Sequence, residues 1–184
     1  MEMSHPRNIR VVEPFIGLAI FIVAVIYMIN VFNTGNWMWF NNNNVNVRPT
    51  RIVIIDQGQR TMVQAGHPAF ESLANAAEAS LSKLNNTDLV NIGLSEQTMS
   101  DYNSSSLIVE LYYDSPVVFG GIARTGKPTQ LLIPIEGRHA GGGYVFRGDK
   151  GEWWHGAVRM AEPEHLLQAM ESLGYTVEAN QPSS

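Results

Sequence analysis

The run PFIGLAIFIVAVIYMINVF, residues Pro14–Phe32, decides how the rest of this chain is organised. It is 19 residues long, carries no charged side chain, and has Asn30 as its one strongly polar side chain. At about 1.5 Å of rise per residue it reaches about 28 Å as a helix, close to the roughly 30 Å hydrocarbon core of a bilayer. The run therefore predicts a transmembrane helix over residues 14–32, with an extension to about residue 40 left open.

A cleaved secretory signal is the alternative interpretation, because a short positive N-terminus before an apolar stretch fits that description too. The run is longer than the apolar core of a typical signal, which has about 7–15 residues. The segment that follows it, residues 30–35, contains no Ala-x-Ala-like cleavage site, and the chain has no cysteine for a lipoprotein motif. We therefore expect an uncleaved anchor.

The basic residues around the span predict its orientation. Arg7 and Arg10 lie just before it, whereas the next basic residue after it is Arg48. Because positive residues favour the cytoplasmic side, we expect residues 1–13 to be a short cytoplasmic N-terminus and the C-terminal domain to be extracytoplasmic, anchored in the cell membrane. Trp37, Trp39 and Phe40 are predicted to lie at the membrane interface, the alternative being a buried aromatic cluster of the outer domain.

One face of the span carries small residues. Gly17 and Ala24 share this face at an offset of seven residues, and Tyr27 follows one turn later. Small residues let another helix approach closely, and a tyrosine hydroxyl can hydrogen bond across such a contact. The three residues predict a partner-binding face for other membrane-protein subunits, although small residues are frequent in any span.

The chain after the span predicts one soluble domain. The four asparagines 41–44 and the residues up to Pro49 are typical of a tether, so residues 41–49 are interpreted as a linker. Residues 50–178 are then the extracytoplasmic domain, and residues 179–184 a flexible tail. About 140 residues suffice for a single core.

The pattern of apolar residues in this domain predicts an α+β fold. Strands and helices are grouped in the order β-β-α-β-β-β-β-α, which favours a mostly antiparallel sheet with two main helices packed on one face. The predicted elements are a strand hairpin at 51–56 and 60–64, a helix with an apolar stripe from Phe70 to Leu84, a short helix within 95–102, strands at 107–113, 130–135, 143–147 and 152–160, a helix between Pro163 and Gly174, and a short edge strand at 175–178.

Composition excludes several classes of partner and cofactor. From Val45 onward the chain has ten Lys and Arg against fifteen Asp and Glu, a net charge of −5 without a basic cluster. Nucleic acid is therefore not an expected partner. The absence of cysteine excludes disulfides, iron–sulfur ligation and covalent c-type haem, and no cofactor is predicted.

Four potential metal ligands lie within 17 residues: His139, Asp149, Glu152 and His155. Their spacing matches no metal motif, and Glu152 and His155 would point to opposite faces of a strand. They are interpreted as turn and strand residues. The glycines at 120–121 and 141–143 lack the lysine and the helix of a phosphate loop, and no Gly-x-Ser-x-Gly motif occurs, so neither a metal site nor a catalytic residue is predicted.

Trp153 and Trp154 form the most unusual pair of the outer domain. Adjacent residues of a strand face opposite ways, so one indole is expected to leave the core. With Tyr112 or Tyr144 it would form an outer interface or ligand surface, unless a loop or the segment of residues 120–129 covers it.

These observations together predict a non-catalytic single-pass membrane protein. The expected role is an accessory or structural subunit of a larger membrane complex, for which electron-transfer and other energy-converting assemblies are an analogy only. Its partners would be other subunits and the lipid bilayer. The alternative is a membrane-anchored extracytoplasmic domain that binds a ligand or peptide.

Overall fold

The structure of this protein is a computed structural model that describes residues 12–34, 37, 45–86, 88–120 and 125–177. It consists of two compact units, Met1–Phe40 and Asn41–Ser184. Several predictions lie outside the described residues: Trp39 and Phe40 at the membrane interface, residues 41–44 of the tether, and the tail at 179–184.

The first unit contains one long helix, α1, at Val12–Thr34. Within it, Pro14–Phe32 is long and apolar enough to cross a membrane, although an N-terminal signal sequence has the same properties. Most of its large apolar side chains are exposed, Phe15 and Val23 each to 66%, whereas Val31 is buried. An exposed apolar surface of this length suits a lipid environment rather than water.

The second unit is an α+β domain built on one six-stranded antiparallel sheet of order β2-β1-β3-β4-β5-β6. The strands are β1 Arg51–Asp56, β2 Gln59–Gln64, β3 Leu107–Tyr112, β4 Gln130–Pro134, β5 Tyr144–Asp149 and β6 Glu152–Arg159. The helices are α2 Phe70–Leu81, α3 Glu96–Ser104 and α4 Glu164–Ser172. These elements agree with the predicted ones apart from shifts at their ends.

The main core lies between one face of the sheet and helices α2 and α4. The predicted stripe of α2 supplies Leu73, Ala74 and Leu81, each fully buried against strand residues such as Val109. Ser80 joins the two helices, because its hydroxyl accepts a 3.1 Å hydrogen bond from the backbone N–H of Leu166 at the start of α4.

The other face of the sheet holds a smaller core beneath α3. Ser95 caps this helix, since its hydroxyl accepts the N–H of Thr98 at 3.1 Å. Tyr102 is fully buried there, and its hydroxyl donates to the carbonyl of Arg138. The C-terminus of α3 lies so close to the β1–β2 turn that a Cβ on Gly58 would lie 3.3 Å from the carbonyl oxygen of Asn103. Helix α3 therefore covers the end of this face that adjoins the turn.

The prediction of an edge strand at 175–178 is wrong for residues 175–177, which form no strand. Gly174 adopts a positive φ of 90° and ends α4, and the N–H of Tyr175 then donates to the carbonyl of Met170 at 3.2 Å. The N–H that a ladder would need is thus used to close the helix.

Candidate partner-binding cleft on the open sheet face

The second face of the sheet is open over strands β2, β1 and β3, where it forms a cleft of about 280 Å³. Alternate residues of each strand point into it, and the register places Val53 between Met62 on β2 and Glu110 on β3. Six residues line the cleft: Arg51, Val53, Arg60, Met62, Glu110 and Tyr112. An apolar floor is thus flanked by two arginines, a carboxylate and a phenol.

Glu110 is a buried carboxylate at the base of this cleft, exposed to only 3%. Its Oε2 accepts two hydrogen bonds of 2.9 Å, one from Nη2 of Arg60 and one from the hydroxyl of Tyr112. The side chain of Arg60 reaches across β1 to make this ion pair. Within the described residues nothing donates to Oε1, so this oxygen can accept a hydrogen bond from a ligand.

Arg51 stacks on Tyr112, its partner in the register of β1 and β3. The guanidinium carbon lies 4.3 Å from the centroid of the phenol ring, a cation–π geometry. Among the described residues, no carboxylate lies within 4.0 Å of Arg51. Tyr112 therefore orients an exposed cation whose charge is available to an outside carboxylate.

The hydroxyl of Tyr112 remains a donor at physiological pH. Burial, followed by the negative charge of Glu110 and the hydrogen bond to it, raises the pKa of Tyr112 from 10.0 to about 12. The phenol thus keeps its proton and holds the carboxylate of Glu110 in place.

The cleft can bind three chemical features at once. Arg51 suits a carboxylate, Oε1 of Glu110 suits an N–H donor, and Met62, exposed to 55%, offers apolar contact. Arginine, tyrosine and methionine are enriched in protein interfaces. A polypeptide segment supplies all three features.

Of the four aromatic residues named for a possible outer surface, the structure places Tyr112, Tyr144 and Trp153 on the face of the smaller core and gives Trp154 different surroundings. Tyr112 and Trp153 share a row of the sheet, with Gln130 and Gly148 between them. Tyr144 lies at the other end of β5, where its ring faces Arg159 at 5.5 Å. These three aromatic side chains pack against the smaller core and are half-buried.

Trp154 has different surroundings. Its ring lies against Gly126, where a Cβ would approach Cζ3 to 2.9 Å, and 5.8 Å from the guanidinium of Arg147. The segment around residue 126 therefore partly covers this indole. Of the predicted surface, only Tyr112 lines the cleft.

Arg147 is a second buried charge, exposed to 3%. Its guanidinium donates to the carbonyls of Thr125, His155 and Gly156, and its Nε has no partner among the described residues. Burial lowers the pKa of Arg147. The β5–β6 pairing is irregular here, and Gly156 has a φ of 84°, so this arginine holds the irregular strand and the incoming segment together.

Of the candidate metal set, Asp149 and Glu152 are register partners in the β5–β6 hairpin, whereas His139 and His155 have other surroundings. His139 sits in a loop, 3.0 Å from the hydroxyl of Tyr102, and burial lowers the pKa of His139. Nε2 of His155 lies 2.7 Å from Oδ1 of Asn91, and Asp149 accepts the hydroxyl of Thr129. In the described part of the chain, no three His, Cys, Asp or Glu residues come together as a metal site.

In the first unit, Gly17 and Ala24 are exposed on α1, and nothing lies within 4 Å of a Cβ built on Gly17. The hydroxyl of Tyr27 donates to the backbone carbonyl of Trp37 at 2.8 Å, and Trp37 is 64% exposed. This hydroxyl is thus already bonded to Trp37, while Gly17 and Ala24 leave room for a neighbouring helix.

Sequence reasoning missed Arg51, Arg60, Met62 and Glu110 as site residues. One signal pointed to Glu110: it is the only charged side chain within the apolar strand LIVELY. A charge in the middle of a central strand needs a partner, but the sequence does not show which.

Comparison with known proteins gave no relative: no protein-family model, no curated protein and no solved structure matches this chain. The site is therefore interpreted from its own geometry.

Proposed function

We propose that this protein is a non-catalytic, single-pass membrane protein that binds a polypeptide partner through the cleft of its α+β domain. In this proposal it is an accessory subunit of a larger membrane assembly. The observation that carries the proposal is the open cleft, in which Arg51 offers a charge without a carboxylate partner among the described residues and Met62 offers exposed apolar surface.

Anchoring in the cell membrane is part of this proposal. The length and composition of Pro14–Phe32 support it. Arg7 and Arg10 before the span favour a cytoplasmic N-terminus and an extracytoplasmic domain. Gly17 and Ala24 are then available to pack against another span.

The alternative function is the binding of a small molecule in the same cleft. Pockets for such ligands usually enclose about 300–1,000 Å³ and surround most of the ligand. The cleft has about 280 Å³ and is open to solvent along β2. Its size and openness favour side chains of a partner, which need not be enclosed.

Photo-crosslinking in native membranes tests the proposal. A photoreactive residue at position 62 should crosslink to another membrane protein, and substitution of Arg51 by Glu should abolish this product because the carboxylate contact becomes repulsive. Leu173, which is 41% exposed after α4, is the matched control position and should give no such product.

Native mass measurement in mild detergent completes the test. A chain that runs alone, and that crosslinks equally from positions 62 and 173, would overturn the proposal. Replacement of Gly17 and Ala24 by leucine asks whether the helix itself contributes. Retained assembly would assign binding to the outer domain alone.

A further inference from the structure

The sheet has two edge strands, β2 and β6, which differ in how much of their outer side is hydrogen bonded. The outer side of β6 is occupied by the segment that precedes α3: Asn85 N–H donates to Arg159 C=O at 2.7 Å, and Val90 N–H to Ala157 C=O at 2.9 Å. The outer side of β2 accepts a single hydrogen bond from the described residues. The N–H of His67 donates it to the carbonyl of Gln64, at the end of the strand. The edge of β2 is therefore unpaired over most of its length in the described structure.

The register identifies the outward backbone groups of β2. Gln57 and Gly58 form a two-residue turn with positive φ values of 47° and 85°, as in a type I′ hairpin. In such a hairpin Asp56 and Gln59 form the first hydrogen-bonded pair, and bonded pairs then alternate along the strands. The N–H and C=O groups of Arg60 and Met62 consequently point away from β1.

The same two residues line the cleft with their side chains. A strand that paired with Arg60 and Met62 would therefore run beside the cleft, with every second side chain on the cleft face. Backbone pairing and side-chain recognition would occur along one line.

Strand β2 carries only one of the usual protections of an edge, an inward charge. Natural edge strands avoid pairing through proline, bulges, inward charges or short length. Over Gln59–Gln64, β2 contains no proline, pairs with β1 without a bulge, and carries Arg60 as its single charge. That charge is turned inward to Glu110 in an ion pair.

The charge of the site indicates which partner fits. The domain from Val45 onward is acidic, with ten basic and fifteen acidic residues, yet Arg51 on β1 and Arg60 on β2 both line the cleft. Because Glu110 already pairs with Arg60, Arg51 is the cation that an incoming carboxylate would meet. Charge complementarity thus favours an acidic segment.

We propose that the edge of β2 accepts an extended, acidic segment of a partner protein as a seventh strand, with one of its carboxylates bound by Arg51. This inference rests on the proposed function and specifies its binding mode. It corresponds to β-strand addition, in which backbone hydrogen bonds provide affinity and side-chain contacts provide selectivity.

The test uses the full chain in detergent and a blocked synthetic peptide, Thr-Glu-Val-Glu-Val-Glu-Thr, with the glutamine version of the same peptide as its control. Hydrogen exchange at the amides of Arg60 and Met62 is the readout, because only strand addition protects these outward N–H groups. The acidic peptide should slow exchange at both amides and bind roughly three- to tenfold more tightly than the glutamine peptide.

Two variants distinguish the contribution of backbone hydrogen bonds to binding from the contribution of the Arg51 charge. Met62→Pro removes one outward N–H at an edge position where proline is tolerated, and should weaken binding by roughly tenfold or more, whereas Met62→Leu should bind like the parent. Arg51→Gln should leave strand addition intact but remove the preference for the acidic peptide.

Several results would overturn the inference. Unchanged exchange at Arg60 and Met62 with the acidic peptide at its solubility limit would do so, as would equal binding by the Met62→Pro variant. A homodimer that Met62→Pro dissociates would identify a second copy as the occupant instead. If peptide binding fails while the photo-crosslink from position 62 still forms, strand addition is wrong and the proposed function stands.

Discussion

The hydroxyl of Tyr112 and the carboxylate of Glu110 are joined by a 2.9 Å hydrogen bond along one face of β3. Residues two apart in a strand share a face, so this pairing is local. Burial of Glu110 to 3% exposure depends on Arg60, which reaches the same oxygen from β2. The cleft is therefore built around a charge that needs both donors.

Replacement of Tyr112 by phenylalanine should destabilise the protein by about 1 kcal/mol, because Glu110 loses one donor while Arg60 remains. Urea unfolding of the detergent-solubilised chain measures the change. Tyr144→Phe is the control, since the Tyr144 hydroxyl forms no hydrogen bond with a described residue. Equal losses from the two variants would show that the Glu110 contact does not stabilise the fold.

A double-mutant cycle of Arg60→Met and Glu110→Gln should give a coupling of about 1–2 kcal/mol. This is less than for a fully buried pair, because the Arg60 side chain is 55% exposed and partly screened.

The Lys83–Glu162 pair is the control: its side chains are 74% and 51% exposed, its charged atoms lie 3.5 Å apart, and it should show no measurable coupling. Raising the salt concentration tests the distinction, since the coupling to buried Glu110 should persist. Similar couplings for both pairs would contradict this prediction.

Gly148→Ala should destabilise the domain by about 2 kcal/mol or more. Its Cβ would lie 2.3 Å from the carbonyl oxygen of Glu152 and 2.6 Å from Nε2 of Gln130, in the row that links Tyr112 to Trp153. Gly66→Ala is the comparison, because its Cβ meets nothing within 4 Å and only its φ of 94° opposes alanine, at about 1 kcal/mol. Chemical denaturation of both variants is the measurement. A larger loss of stability for Gly66→Ala than for Gly148→Ala would mean that the surroundings of Gly148 accommodate a Cβ.

Stability should fall in alkaline solution as the pH rises from about 10 toward about 12. The pKa of Tyr112 is raised from 10.0 to about 12 by burial and by Glu110, so in this range the unfolded chain has lost the proton that the folded protein retains. The contribution is fully present below pH 10.0, the ordinary tyrosine value, and is lost as the pH rises through the folded pKa. Burial also raises the pKa of Tyr102 and Tyr113, which act in the same direction.

Denaturation over a series of alkaline pH values measures this effect. The free energy of unfolding should fall less steeply with pH in Tyr112→Phe than in the parent, because one of the groups whose pKa changes on folding is removed. Identical slopes would exclude Tyr112 as a contributor.

Arg147→Lys should destabilise the domain by about 2 kcal/mol or more, although it keeps the charge. A lysine lacks the planar fork with which Arg147 reaches the carbonyls of Thr125, His155 and Gly156. Unfolding measurements test this expectation, and a change in tryptophan fluorescence should accompany it because Trp154 lies beside the guanidinium. Arg138→Lys, at an exposed loop position, should be nearly neutral. A neutral result at Arg147 would contradict the structural role.

The strands and helices of the α+β domain were predicted well because their signals are local. The β-branched run at Arg51–Asp56 and the stripe of α2 each lie within a few turns or residues of chain. The predicted strand is wrong for residues 175–177 because Gly174 takes a positive φ and the chain closes α4 instead. The glycine C-cap is itself a local signal, and here it prevailed over the strand propensity of the residues that follow.

The cleft could not be predicted from the sequence. Arg60 and Glu110 are 50 residues apart, and Arg51 and Tyr112 become neighbours only when β1 pairs with β3. The sequence pointed to Tyr112 only as an aromatic residue of a possible surface with Trp153, Trp154 and Tyr144. Cross-strand register places Tyr112 in one row with Trp153 and puts Tyr144 at the other end of β5.

By itself the sequence determined an apolar run of bilayer length, an acidic domain without cysteine, and the kinds and order of its elements, because composition and periodicity act over neighbouring residues. Only the tertiary structure decided that the sheet leaves one face open beside an unpaired β2, with Glu110 buried beneath Arg60 and Tyr112. The physical reason is that burial, ion pairing and edge exposure arise when distant strands adopt one register, and no local pattern records that register.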